Sequence, residues 1–210
     1  MTERGPVVVG AGGHAKVVIE LLRANGIEPF ACVGDASADA GSCLGVPVFV
    51  GDEHLERFHA EGVASAVIAI GSNQVRVRLG RRARELGYQL PSIVSPRANV
   101  SPTAAIGEGS VVMAGATINA DSSIGEFAIV NTNASVDHDC RLGDGVHVAP
   151  NVALAGNVTV GELAFVGVGA TVMPGRTVGS SATVGAGALV LRDVTGDTTV
   201  AGVPAHEIAR

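Results

Sequence analysis

The chain has 210 residues, 20 acids against 14 Lys and Arg for a formal net charge of −6, and 47% apolar against 16% charged residues. That balance excludes a disordered chain and a surface built to track nucleic-acid phosphates. Five Phe, one Tyr and no Trp demand a core of small aliphatic side chains. Three cysteines without a CxxC pair speak against a disulfide framework and a Cys-based zinc site. The start, MTERGPVVVG, lacks the basic and apolar regions of a signal peptide. The apolar runs are short and punctuated, so no membrane span is expected, and the expected compartment is the cytoplasm.

In chain order, PVVVG (6–10) predicts a buried strand and HAKVVIELLRANG (14–26) a helix ended by Gly26. PFACVGD (29–35) reads as a second strand and VPVFVG (46–51) as a short or edge strand. DEHLERFHAEG (52–62) reads as a helix with acids in its first turn, which suits the helix dipole. Its His54 and His59 are expected at the surface. SAVIAIG (65–71) predicts a strand and NQVRVRLGRRARELG (73–87) a helix capped by Asn73. This βαβ rhythm predicts a small Rossmann-like parallel sheet in an α/β domain over residues 1–93.

From Val94 the period changes to six. Stepping by six from Val94 to Val190 meets seventeen positions, every one Val, Ile or Leu. Four residues after each aliphatic the side chain is mostly small, as at Ala116, Ala134, Cys140 and Ala164, with Arg176 the clear exception. Gly often follows the aliphatic, as at Gly107, Gly125, Gly143 and Gly161. A fixed period means stacked units. Three six-residue strands close a triangular turn of eighteen residues, with the aliphatics inside. Coils stacked by strand pairing make residues 94–210 an all-β parallel β-helix, a prism about 28 Å long at ~4.8 Å per coil. A thin prism has no room for aromatics.

The register points His138, two residues past Val136, outward between Asp137 and Asp139. A carboxylate accepting from one imidazole nitrogen fixes the tautomer and raises basicity at the other, as a general base requires. His147 also points outward, and the two could border one groove. Cys140 falls at the small inward position and reads as core rather than nucleophile. A zinc site from His138, Asp139 and His147 is disfavoured, so no metal is expected. GAGGHAK (10–16) joins strand to helix and offers backbone N–H groups to a phosphate, with Asp35 placed to take a ribose hydroxyl or a base. NAD is the rival ligand for that loop, but nothing downstream resembles a second dinucleotide half.

Six segments together resemble the two-domain nucleotide-sugar acetyltransferases of the bacillosamine, perosamine and sialic-acid O-acetyl group, with hexapeptide repeats. They are VVVGAGGHAKVV (7–18), CVGD (32–35), AIGSNQVR (69–76), VNTNASVDHDC (130–140), GVHVAPNVALAGNVTVGE (145–162) and VAGVPA (200–205). The resemblance implies a left-handed β-helix, a homotrimer with its site between subunits, and acetyl-CoA as co-substrate. It implies that the first domain holds a nucleotide-linked amino sugar, with Gly10, Gly13 and His14 near its phosphates and sugar, Asp35 near the base, and Gly71 and Asn73 at the sugar end. Acetyl-CoA would lie along the prism against His147, Gly156, Val168 and Ala186, with Asn131 beside the site. His138 would be the base and Asp139 its orienting acid. Gly34-Asp35 stands where many members have two acids, and Asp139 where some have the longer Glu. The implied reaction is N-acetylation of a 4-amino-4,6-dideoxy sugar. The alternatives are O-acetylation of a sugar hydroxyl and a non-catalytic nucleotide-sugar-binding protein.

Overall fold

The computed structural model describes residues 4–34 and 41–208. The chain divides into two compact units, Met1–Ile93 and Val94–Arg210.

In the first unit, β1 (Val7–Val9), β2 (Ala31–Gly34), β3 (Ser42–Cys43), β4 (Val46–Val50) and β5 (Ala66–Ile68) form one sheet of order β3-β4-β2-β1-β5. β1 pairs in parallel with β2 and β5, and β2 with β4. β3 runs antiparallel to β4; two residues are too few to show a pattern in the sequence. Val7–Val9, Ala31–Val33 and Ala66–Ile68 are buried throughout, the continuous apolar signature of a sheet covered on both faces. α1 (Gly13–Ala24) buries Ala15, Val18, Ile19 and Leu22, one helical stripe. α2 (Glu53–Ala60) buries Leu55 and Phe58, and Phe58 meets Phe30 and Phe49 edge-on at 5.2 and 5.0 Å.

His54, His59 and Asn73 stand otherwise than the sequence suggests. His54 and His59 are half-buried rather than solvated. His54 stacks on Phe58 at 5.8 Å and His59 meets Tyr88 at 4.9 Å, because the rings gain more from aromatic neighbours than from water. The cap of α3 (Asn73–Glu85) is Ser72, and Asn73 is its first residue. The Asn73 side chain serves an arginine instead.

Strand order reverses at β1. α1 leads from β1 to β2 on one side, whereas β5 lies on the other. The carboxyl ends of β1, β2 and β5 therefore open a crevice at the switch point, the usual ligand position in such sheets.

The second unit is a parallel β-helix of two-residue strands in three stacked sheets. Ser135–Val136, for example, pairs with Thr117–Ile118 before it and Ala153–Leu154 after it, so neighbouring coils are eighteen residues apart. The repeated aliphatics form one buried column with the small residues, Cys140 included. Val146, Val152 and Val158 occupy the small position too and are equally buried. From Gly109 onward the corners turn on one left-handed residue each. Every sixth residue from Gly109 to Gly187 has φ between 54° and 73°, and most are Gly, Asn or Asp, which tolerate that region best. The glycine after the aliphatic answers a different need. A Cβ on Gly143 would stand 2.7 Å from the Glu162 nitrogen of the next coil, and one on Gly161 would stand 2.5 Å from the Ser180 nitrogen. A final hairpin, Thr199–Ala201 against His206–Glu207, ends the stack.

Candidate active site

The crevice of the first unit is a cleft of about 1040 Å³ lined by Gly10, Gly12, Gly13, His14, Gly34 and Gly71 among others. Gly10 has φ 122°, and a side chain there would strike the Ala69 carbonyl at 2.6 Å. α1 opens onto the cleft with Gly12 as its cap, no side-chain cap and no acid in its first turn, which leaves its amides and positive dipole end to an anion. His14 Nε2 is buried without a hydrogen-bond partner among the described residues. Burial, and then the charge of Arg76, push its pKa down to about 4. His14 is therefore neutral at physiological pH. Asp35 lies outside the described residues.

The 70–73 segment is built around Arg76, a residue the sequence reading passed over. Arg76 is fully buried. It donates to the Ile70 and Gly71 carbonyls at 3.0 and 3.1 Å and to Asn73 Oδ1 at 2.9 Å. Gly71 thus lines the cleft, while Asn73 helps to shape the loop. The available signal was an arginine in helical register with Gly80 and Ala83, both buried.

In the second unit His138 stands at a corner, its side chain 60% exposed. Asp139 is the left-handed residue of that corner, with φ 60°. Its Oδ2 lies 2.8 Å from His138 Nδ1, which leaves Nε2 facing outward. The Asp139 hydrogen bond, and then the Asp137 charge, raise the imidazole pKa above its ordinary value. Gly156, on the next coil, lies under the ring. A Cβ there would stand 2.6 Å from Cε1 and 2.7 Å from Nε2. Cys140 points inward and donates to the Ala155 carbonyl at 3.2 Å, and burial pushes its thiol up. It is a core thiol with no nucleophilic character.

Asn131 and His147 form a second group. Asn131 Oδ1 accepts from the Thr132 amide at 2.8 Å, so its Nδ2 faces His147 Nε2 at 3.2 Å. That network assigns the His147 proton to Nδ1. Phe165 meets the His147 ring edge-on at 5.2 Å. Val168 and Ala186 follow Val166 and Val184 on successive coils, joined by the Gly187 amide on the Val168 carbonyl at 2.8 Å. His138 and Gly156 therefore turn one edge of the six-stranded face, and Asn131, Val168 and Ala186 turn the other. Among the described residues no three of His, Cys, Asp and Glu are grouped to hold a metal ion. No described helix is long and apolar enough to cross a membrane.

Residues 7–83 match the family model of the PglD N-terminal domain. UDP-N-acetylbacillosamine N-acetyltransferase of Bacillus subtilis is 39% identical over 112 residues, which span 51% of this chain and about half (50%) of that enzyme. The crystal structure of a mutant perosamine N-acetyltransferase from Caulobacter crescentus, in complex with CoA and GDP-perosamine, superposes with a TM-score of 0.95. It is 49% identical, and the match covers 98% of this chain and 97% of that one. The chain belongs to the hexapeptide-repeat nucleotide-sugar acetyltransferases. The acetyltransferase domain of PglB from Neisseria gonorrhoeae, in complex with acetyl coenzyme A, is 42% identical with a TM-score of 0.91 over 98% of this chain and 100% of that domain. Within this family the prism is the left-handed β-helix, the hand the resemblance implied.

Proposed function

We propose that this protein is an acetyl-CoA-dependent N-acetyltransferase acting on the amino group of a nucleotide-linked 4-amino-4,6-dideoxy sugar. The observation that carries the reading is an outward imidazole bonded through Nδ1 to a carboxylate, on a chain that matches an enzyme in complex with CoA and GDP-perosamine over nearly its whole length. The cleft of residues 1–93 takes the nucleotide sugar, with its diphosphate on the amides of Gly10, Gly12 and Gly13 at the opening of α1. His14 and Gly71 line the same cleft, and Asp35 follows β2. Acetyl-CoA takes the prism of residues 94–210, against Asn131, His147, Gly156, Val168 and Ala186.

The sugar amine attacks the thioester carbonyl directly, since the acyl group is already activated. As the C–N bond forms, His138 Nε2 accepts the amine proton, and Asp139 steadies the imidazolium. The Gly156 amide, which donates to no backbone carbonyl among the described residues, is the proposed oxyanion donor, on the residue that lies under the His138 ring. The C–S bond then breaks, and the imidazolium returns its proton to the departing thiolate. Holding both substrates in one place supplies the proximity term.

The decisive assay supplies acetyl-CoA with a panel of GDP-, UDP- and dTDP-linked 4-amino sugars and their 4-hydroxy counterparts, and follows free thiol. His138→Asn is expected to keep the fold and both KM values and to lose roughly 10²–10⁴-fold in kcat. Wild-type turnover in that variant removes the base assignment. Preference for the hydroxy sugars turns the reading to O-acetylation, and binding without thiol release turns it to a nucleotide-sugar-binding protein.

A further inference from the structure

The coil before the histidine carries a residue no motif singled out. Asn119 stands eighteen residues before Asp137, in register with it on the six-stranded face. Its Nδ2 donates to Asp137 Oδ1 at 2.8 Å. The same oxygen accepts from the His138 backbone amide at 2.8 Å. Asp137 is thus held from both sides, its carboxyl kept below the usual range chiefly by Asn119 and next by the His138 amide.

The other support of this turn is general scaffold. Ser122 donates to the Asp137 carbonyl at 2.6 Å and accepts from the Cys140 amide at 3.0 Å. Ser110 makes the same pair of bonds, to the Gly125 carbonyl and the Ala128 amide, under a turn with no histidine. The Asn119–Asp137 bond instead ends on the histidine's own amide.

We propose that Asn119 is a positioning residue for acetyl transfer: it clamps Asp137, Asp137 fixes the His138 backbone, and the imidazole then meets the reacting amine from one direction. The proposal rests on the reading of His138 as the base. Asp139 sets the ring's rotation, and the Asn119–Asp137 pair sets the point from which the ring projects. A side chain held at one end only would sweep an arc, and a misplacement of about 1 Å can cost a hundredfold in rate. The pair also fixes the distance of one of the two negative charges that hold the imidazole pKa up. The charged groups near the ring are Asp137 and Asp139 on its own turn. The adjoining coils present Ala120 and Gly156 at the matching position, and Asp121 stands in register with Asp139.

The test combines kinetics with NMR titration of the His138 ring, assigned by its loss in His138→Asn. Asn119→Ala is expected to lower kcat about tenfold to a hundredfold with both KM values within about twofold and melting unchanged. Asp137→Asn is expected to lower the His138 pKa and move the acid limb of kcat to lower pH. Asn119→Asp, nearly isosteric, adds a negative charge and is expected to move both to higher pH. The double variant Asn119→Ala/Asp137→Asn is expected to be no slower than the slower single, because the two act as one unit. Wild-type kcat in Asn119→Ala at unchanged melting overturns the proposal, as does a His138 titration indifferent to Asp137→Asn and Asn119→Asp. Activity retained in His138→Asn instead overturns the base reading, and the titrations still decide whether the pair governs the ring.

Discussion

At the scale of single residues, two histidines are tuned in opposite directions by opposite surroundings. His14 is half-buried, its Nε2 shut away from water near a guanidinium, and stays neutral; His138 is exposed between carboxylates and holds its proton longer. For His14 the folded pKa of about 4 lies below the ordinary 6.5, so the unfolded chain binds more protons between those values. Its contribution is complete above pH 6.5 and is lost as pH falls towards 4. A His14→Gln variant is therefore expected to show a flatter fall in melting temperature over that interval, measured by calorimetry. The same variant is expected to raise KM for the nucleotide sugar and leave KM for acetyl-CoA alone. For His138 the sign concerns rate. Turnover should rise with pH through the imidazole titration, and Asp139→Asn should shift that rise to lower pH, because removing the carboxylate destabilises the imidazolium. Gly156→Ala tests the space beneath the ring. Gly156 has no positive φ, so the backbone accepts alanine and the exposed imidazole is the group that must move. The expected outcome is unchanged melting with kcat reduced about tenfold or more. A crystal structure of the variant should show the Nδ1–Asp139 bond broken.

At the scale of the element, the unit is the six-residue strand and corner, and two of its positions obey distinct steric rules. The left-handed corner position tolerates Gly, Asn and Asp but strains other residues by about 1–2 kcal/mol. Ser181, at φ 57°, illustrates this. Ser181→Gly is expected to raise the denaturation midpoint and Ser181→Val to lower it by more, since a β-branched residue resists positive φ. The position after the aliphatic fails for another reason, because its α-carbon lies against the backbone of the next coil. Gly143→Ala would push away the backbone of the next coil at Gly161 and Glu162, and a loss of about 1–3 kcal/mol is expected in urea unfolding. In the first unit the corresponding lesson is α3. Its polar sequence reads as a surface helix, yet Arg76 turns inward to bind the carbonyls of Ile70 and Gly71. A helix start that must hold a loop to a cleft uses the longest donor available.

At the scale of the molecule, the prism spends nearly all its aliphatics on one narrow core. Val136→Asp would bury an unpaired charge there, and loss of cooperative melting of residues 94–210 is expected. The two edges of the six-stranded face carry separate parts of the proposed site, His138 with Gly156 on one and Asn131, Val168 and Ala186 on the other. A homotrimer would let the edge of one copy meet a different edge of the next. Sedimentation at micromolar concentration is expected to give three times the 21.0 kDa chain mass, and a monomer there removes the shared site.

The sequence by itself determined the coil and its contents. The period of six fixes which side chains point inward, because strand and corner repeat without interruption, and it places His138 outside and Cys140 inside. The βαβ rhythm likewise placed Gly10 and His14 on the loop that joins a strand to a helix, since strand, turn and helix are local choices. Tertiary structure alone decided what lies against those residues. Stacking brings Asn119 to Asp137 and Gly156 to His138 across eighteen residues, and packing turns Arg76, His54 and His59 away from water. The physical reason is range. Periodicity records the direction in which a side chain leaves the backbone, whereas hydrogen bonds and close approaches arise between chain segments that meet only once the coils have closed.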